Sequence, residues 1–380
     1  SIKPDYAEAY NNMGITLKDK GNLEEALEAY DKALTIKPDY AEAYSNMGLT
    51  LQKQDKISDA LAACRRAISI KSDYAPAYNN IGNLLKEQDK LEEAIAAYKN
   101  ALSIDDDYIE VLENLLILQC QLQLRVLSEN SITRNLNELS SKIEKRPKLQ
   151  ILYAIKAFLH GNFEHTHLML NKLMSYDPNQ FEKLNVTDKI FCNAYSIFIR
   201  KLLNSTPSEK IISQFENKAY HFGESHCLSF AHQKIKLGGK SYQINPRITF
   251  GAKAFHFSKV KNNSYKAITK SNLTSLPERS QVFISFGEID CRPDEGFISA
   301  AKKLNKPVKN LISKTLAGYL QWFSLQNKKK KHKLYFFNVP APVYNKKYSY
   351  ELNSKVVAVV DLFNKSLKEH TERYGFISID

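Results

Sequence analysis

The sequence predicts two architectures in one chain: an all-α solenoid at the front and an α/β unit with a mainly parallel sheet at the back. Three observations carry this expectation. A tyrosine-ended motif recurs every 34 residues through the first hundred positions. From about Ala219 the hydrophobic pattern changes to short apolar runs separated by helical stretches. Finally, each of three predicted strands runs directly into a compact polar or turn motif.

The repeat is read from KPDY at 3, KPDY at 37, KSDY at 71 and DDDY at 105. Gly14, Gly48 and Gly82 fall in phase, as do Ala26, Ala60 and Ala94, then Ala33, Ala67 and Ala101. Small residues at fixed phase let two helices approach closely, and the Pro after a second helix ends it. Over residues 3–104 this pattern, AEAYNNMG followed by LEEALEAY, is similar to the tetratricopeptide repeat. The resemblance implies stacked helix pairs with a concave surface. A fourth unit begins at Asp105 with Leu116 where the phase glycine would stand.

Asn12, Asn46 and Asn80 occupy one position per repeat. As a ladder they would hold the backbone of an extended peptide, or they would tie neighbouring helices together. In the first role they resemble the asparagine ladder of O-GlcNAc transferase repeats. No glycine-rich nucleotide site accompanies them, which ranks glycosyltransfer last.

Residues 1–110 are expected to form the array, 111–215 a divergent helical connector, and 216–380 the α/β unit. Within the connector, residues 148–181 read as helix, glycine turn, helix and an Asp-Pro stop. His165 and His167, two apart, do not share a helical face, so a zinc site is not expected there.

Strands are expected at 219–222, 281–286 and 333–339, with helices over 296–326 and 350–374. The segment 228–250, centred on Gly238-Gly239, reads as an inserted hairpin. The strand ends lead to Gly223-Glu224-Ser225-His226, to Gly287-Glu288-Ile289-Asp290-Cys291-Arg292, and to Asn338-Val339-Pro340. In open α/β sheets that edge binds ligands.

Residues 218–380 resemble the SGNH (GDSL-type) hydrolase superfamily in these motifs. The resemblance implies a three-layer, flavodoxin-like fold, a serine nucleophile at Ser225, and oxyanion contacts from Gly251 and the block opened by Gly287 with Asp290. The family's Asp becomes Glu224, and its Asn donor becomes Ile289. Glu224, His226, Glu288 and Arg292 are expected to contact substrate or brace the site. The implied substrate is an O-acylated, chiefly O-acetylated, carbohydrate or glycan, cleaved or transferred without a cofactor or metal. No Asp-x-x-His block supplies a base, so it is expected beyond Asp380. His256 and His370 are alternative bases or structural residues. The rival reading is a non-catalytic peptide-binding scaffold whose hydrolase-like unit keeps only a ligand pocket.

Charge and cysteine content narrow the setting. Residues 1–110 hold 13 Lys/Arg and 20 Asp/Glu, whereas the remainder holds 41 and 21. The two parts therefore face different partners, proteins or peptides for the array and an ester substrate for the rest. No basic-aromatic stripe or RNA-binding motif favours nucleic acid. Five cysteines without a CxxC pair point to a reducing, cytoplasmic setting. Cys227 and Cys291 follow neighbouring motifs and are expected close together, as buried fillers or a redox pair. No apolar run is long enough to span a membrane.

Overall fold

The computed structural model describes residues 5–122, 146–174, 184–205, 217–340, 342 and 344–379. It divides into two units, Ser1–Leu115 and Leu116–Asp380.

The first unit is built from α1 (Asp5–Lys20), α2 (Leu23–Ile36), α3 (Ala41–Lys53), α4 (Ile57–Ile70), α5 (Ala75–Glu87) and α6 (Leu91–Ile104), with the start of α7 (Ile109–Leu122). Helices pair as α1–α2, α3–α4 and α5–α6, giving a tetratricopeptide-type solenoid. The phase glycines mark the closest approach within each pair. A Cβ on Gly14 or Gly82 would lie 2.5 Å from the Tyr30 or Tyr98 ring, and one on Gly48 would lie 2.5 Å from Cys64 Sγ. The in-phase alanines are buried between the helices.

The asparagine ladder works between repeats. Asn46 Nδ2 donates to Asn11 Oδ1 at 3.0 Å, Asn80 Nδ2 to Ser45 Oγ at 2.9 Å, and Asn114 Nδ2 to Asn79 Oδ1 at 3.2 Å. In two of these joints a carboxylate completes the chain: Asn79 donates to Glu110 at 3.1 Å and Asn11 to Glu42 at 3.5 Å. Asn12, in the first helix, is exposed. Because nearest-neighbour coupling stabilises a solenoid, Asn46→Ala and Asn114→Ala should each lower its unfolding free energy by about 1 kcal/mol. Urea titration of each variant measures this.

The second unit contains α8 (Pro147–Leu159), α9 (Phe163–Met174) and α10 (Val186–Ser205), followed by a sheet with helices. The Asp-Pro stop expected at 177–178 lies outside the described residues. The strands are β1 (Lys218–Gly223), β2 (Lys234–Leu237), β3 (Lys240–Ile248), β4 (Gln281–Ser285), β5 (Lys333–Phe337) and β6 (Ile377–Ile379). Their order is β2-β3-β1-β4-β5-β6, with β2 antiparallel to β3 and every other pairing parallel. Gly238-Gly239 does turn a hairpin, but β3 is more than an insertion: its length also pairs with β1. The β1–β3 connection accordingly has no helix longer than a 3-10 turn at Ser225–Phe230.

Helices α11 (Ala254–Ser258) and α12 (Ser264–Ser275) precede β4. Helices α13 (Glu288–Cys291), α14 (Phe297–Leu304) and α15 (Val308–Asn327) follow it, and α16 (Tyr350–Arg373) joins β5 to β6. The helical stretch expected at 296–326 is thus broken before Pro307, whose missing N–H and fixed φ suit a helix start.

One sheet face, with Tyr220, Phe222, Val282, Ile284, Leu334 and Phe336, packs on Phe257, Leu273, Leu316, Phe323 and Phe363 of these helices. The other face carries Ala219, Phe283 and Tyr335 against Ile235, Leu237 and Tyr242 of the hairpin. Ile248, with Cys227 and Leu228, joins the core of α8–α10. The connector helices therefore share a core with the sheet region. No helix among the described residues is long and apolar enough to cross a membrane.

Candidate functional site

The parallel strands end on one edge, where three loops meet. Gly223 ends β1 and Glu224 follows it; both are buried. Ser225 and His226 open the 3-10 turn, and their side chains lie outside the described residues. The loop after β3 carries Thr249, Gly251 (φ +68°) and Lys253. The loop after β4 carries Gly287, Glu288, Asp290 and Arg292.

Asp290 joins the second loop to the third. Its Oδ2 accepts the Ala254 N–H at 2.7 Å and its Oδ1 the Phe255 N–H at 3.2 Å. Lys253 adds a second tie, donating to the Glu295 carbonyl at 3.0 Å and lying 3.4 Å from its carboxylate. Burial pushes the Asp290 carboxyl up to about 7, against the pull of the two amide donors and Lys253.

Glu224 brings in the first loop. Burial raises its carboxyl to about 9, and the carboxylates of Glu288 and Asp290 add to the rise while Arg292 and Lys253 oppose it. Glu224 therefore holds its proton at neutral pH. Its Oε1 is buried without a hydrogen-bond partner, and so is Thr249 Oγ1. Buried polar atoms without a partner are uncommon in folded proteins.

A stability effect follows. Both carboxyls have folded pKa values above their unfolded ones, so their contribution is full below pH 4 and is lost as pH rises. Asp290 titrates out through about 7 and Glu224 through about 9. Thermal melts should fall from about pH 4 to about 9, more steeply below about 7 where both carboxyls contribute, and Glu224→Gln should flatten the part of the fall above 7.

Glu288 and Arg292 pair with each other. Arg292 Nε lies 3.1 Å from Glu288 Oε1 and Nη2 lies 2.8 Å from Oε2. This i, i+4 fork fixes a partly exposed guanidinium at the mouth of the edge. Ile289 is buried and offers no side-chain donor.

His221 is turned from this cluster: its Nε2 lies 2.9 Å from Ser285 Oγ, and its ring packs against Phe230, Phe283 and Phe337. Among the described residues no His, Cys, Asp and Glu group could hold a metal ion. His256 Nδ1 accepts the Lys253 N–H at 2.9 Å, and its ring stacks on Tyr265 with centroids 4.1 Å apart. Burial, with Lys259 and Lys253 nearby, depresses it to about 4, so it stays neutral. His370 Nδ1 lies 2.8 Å from the Ser366 carbonyl one turn back on α16.

Cys227 and Cys291 do not come together. Cys227 lies in the core shared with α8–α10 and Cys291 in the core beneath α15 and α16, because their two motifs turn into different layers. Both are buried thiols whose pKa burial raises, which suits fillers rather than a redox pair.

Three side chains were not legible as site residues. Tyr265 lies with its hydroxyl 3.9 Å from where a Gly251 Cβ would sit. Lys253 and Thr249 sit in a loop whose sequence carries only a lone glycine as a signal.

Models described as TPR repeat and Tetratricopeptide repeat match residues 16–55, and 41–74 and 75–108. No curated protein matches the chain. Among solved structures, the chain is similar to the first TPR of Spaghetti (RPAP3) bound to an HSP90 peptide. That match has 22% identity and a TM-score of 0.30, and covers 32% of this chain and 98% of that one. It is similar to Pseudomonas aeruginosa pilF at 21% identity and a TM-score of 0.38, covering 53% and 94%. It is also similar to YrrB, a TPR protein with an unusual peptide-binding site, at 17% identity and a TM-score of 0.36, covering 51% and 91%. Residues 16–108 are tetratricopeptide repeats.

Proposed function

We propose that the chain couples a protein-binding repeat array to an acyl hydrolase or acyl transferase unit of the SGNH type, acting on an O-acylated carbohydrate. The observation that carries this reading is the meeting of the loops after β1, β3 and β4 through Asp290, Lys253 and Glu224. Counted in chain order, the parallel strands run 2-1-3-4-5, the flavodoxin-like order in which ligands bind at the carboxyl ends. The array supports the scaffold half, since stacked repeats present extended surfaces to partner chains.

In this reading the Ser225 hydroxyl adds to the acyl carbonyl while a base takes its proton. The Gly251 N–H faces the oxygen that becomes negative, a donor of the kind that contributes about 3–4 kcal/mol to such a step. Collapse of the adduct expels the sugar alcohol, which regains a proton, and leaves an acyl-serine for water or an acceptor alcohol. Ile289 supplies no oxyanion donor, and Asp290 is occupied by Ala254 and Phe255. Those two features favour the second reading, a ligand-binding scaffold without turnover.

Hydrolysis of p-nitrophenyl acetate by the full-length protein separates the two. Ser225→Ala should lower kcat/KM by at least about 10³-fold with an unchanged melting temperature. A rate equal to the parent's removes the acyl-transfer half, and an inactive parent favours the scaffold.

A further inference from the structure

A cleft of about 630 Å³ opens beside this edge, between residues 288–295 after β4 and residues 339, 340, 342 and 344–350 after β5. Its volume lies within the range of small-molecule sites, about 300–1,000 Å³. Its lining includes the aliphatic side chains of Val339 and Val360, both buried, and the more exposed Val357. One wall holds tyrosines, and Tyr344 and Tyr350 are 60% and 80% exposed. The facing wall is charged: the Arg292–Glu288 fork, Asp294 and Glu295. The Tyr348 hydroxyl donates to Asp294 at 2.8 Å and bridges the two.

The tyrosine wall is held in shape by Asn353. Its Oδ1 accepts the Asn345 N–H at 2.9 Å, and its Nδ2 faces the carbonyls of Asn345, Tyr348 and Ser349 at 3.0–3.2 Å. A loop braced in this way keeps its rings in place before a ligand arrives.

Aromatic faces opposite planar, hydrogen-bonding ions suit a ligand with one apolar face and a polar rim. A pyranose ring has that form: axial C–H bonds on one face and hydroxyls around its edge. An acyl chain offers no polar rim to the charged wall. A phosphate would meet three carboxylates against one guanidinium. We propose that this cleft binds the pyranose portion of a carbohydrate, stacked on Tyr344 and Tyr350 and hydrogen-bonded by Arg292, Asp294 and Glu295. Its place as a substrate subsite rests on the acyl-transfer reading above; the binding itself does not.

Saturation-transfer NMR on the full chain, with cellotriose, maltotriose, xylotriose and chitotriose as probes, tests the assignment. At least one trisaccharide should show transfer to its ring C–H protons. Its affinity should drop tenfold or more in Tyr344→Ala and in Tyr350→Ala, with unfolding midpoints unchanged because both rings are exposed. Transfer to none of the four overturns the proposal, as does transfer that both variants leave intact. Binding of decaproline without binding of a sugar assigns the cleft to a proline-rich peptide and also overturns it. Ser225→Ala should bind the sugar as the parent does; if it also keeps ester turnover, the acyl-transfer reading fails while the cleft assignment stands.

Discussion

Gly296→Ala is expected to lower the unfolding free energy by at least about 3 kcal/mol and to loosen the junction between the loops after β3 and β4. The Gly296 N–H donates to the Arg292 carbonyl at 3.0 Å, folding the segment back on itself. An added Cβ would overlap the Asp290 carbonyl oxygen and lie 2.5 Å from its carbon and 2.6 Å from the Arg292 oxygen. All three are backbone atoms, so no side-chain rotation relieves the overlap. The backbone of Asp290 has to move, and with it the carboxylate that holds Ala254 and Phe255. Urea unfolding measures the cost, and amide exchange at Ala254 and Phe255 reports the lost junction. Gly239→Ala is the control, because its Cβ would meet nothing within 4 Å and only the φ of +79° is strained. It should cost about 1 kcal/mol.

Gly287→Ala is expected to cost a similar amount for two combined reasons. The φ of +138° lies where an L side chain is rarely found, and the Cβ would sit 2.7 Å from Phe363 Cζ and 3.3 Å from Val339 Cγ2. Phe363 is fully buried in the main core, so its ring has no space to retreat. Phe363→Leu removes the clash but not the strain. The double variant should therefore be more stable than the sum of the single losses predicts, by about 1 kcal/mol or more, a coupling that a double-mutant cycle reads directly.

The array was legible because its signal is redundant. Three glycines, three pairs of alanines and a tyrosine-ended turn all recur at 34, and each has one packing reason. The strands β1, β4 and β5 were legible as apolar runs, since strands covered on both faces lose their alternation. What the pattern hides is pairing. Lys240–Ile248 reads as half of a hairpin, and nothing local states that the same residues also pair with β1.

Site residues divide along the same line. Motif glycines and acids at strand ends stand out in sequence, whereas Lys253 and Tyr265 become neighbours of Glu224 only through the sheet order. The tyrosines at 344, 348 and 350 lie in an irregular segment with no period, and their common wall depends on Asn353. The asparagine ladder shows the converse: its period was plain, but only coordinates show the Asn46 and Asn80 amides bonded between repeats while Asn12 is exposed.

In the acyl-transfer proposal, the edge formed by the loops after β1, β3 and β4 activates one serine. Treating the folded full-length protein with a fluorophosphonate and mapping the adduct by peptide mass spectrometry tests it most directly. A single adduct on Ser225 is expected, and it disappears when the protein is unfolded before treatment. An unlabelled folded protein, or label on a different residue, would contradict it.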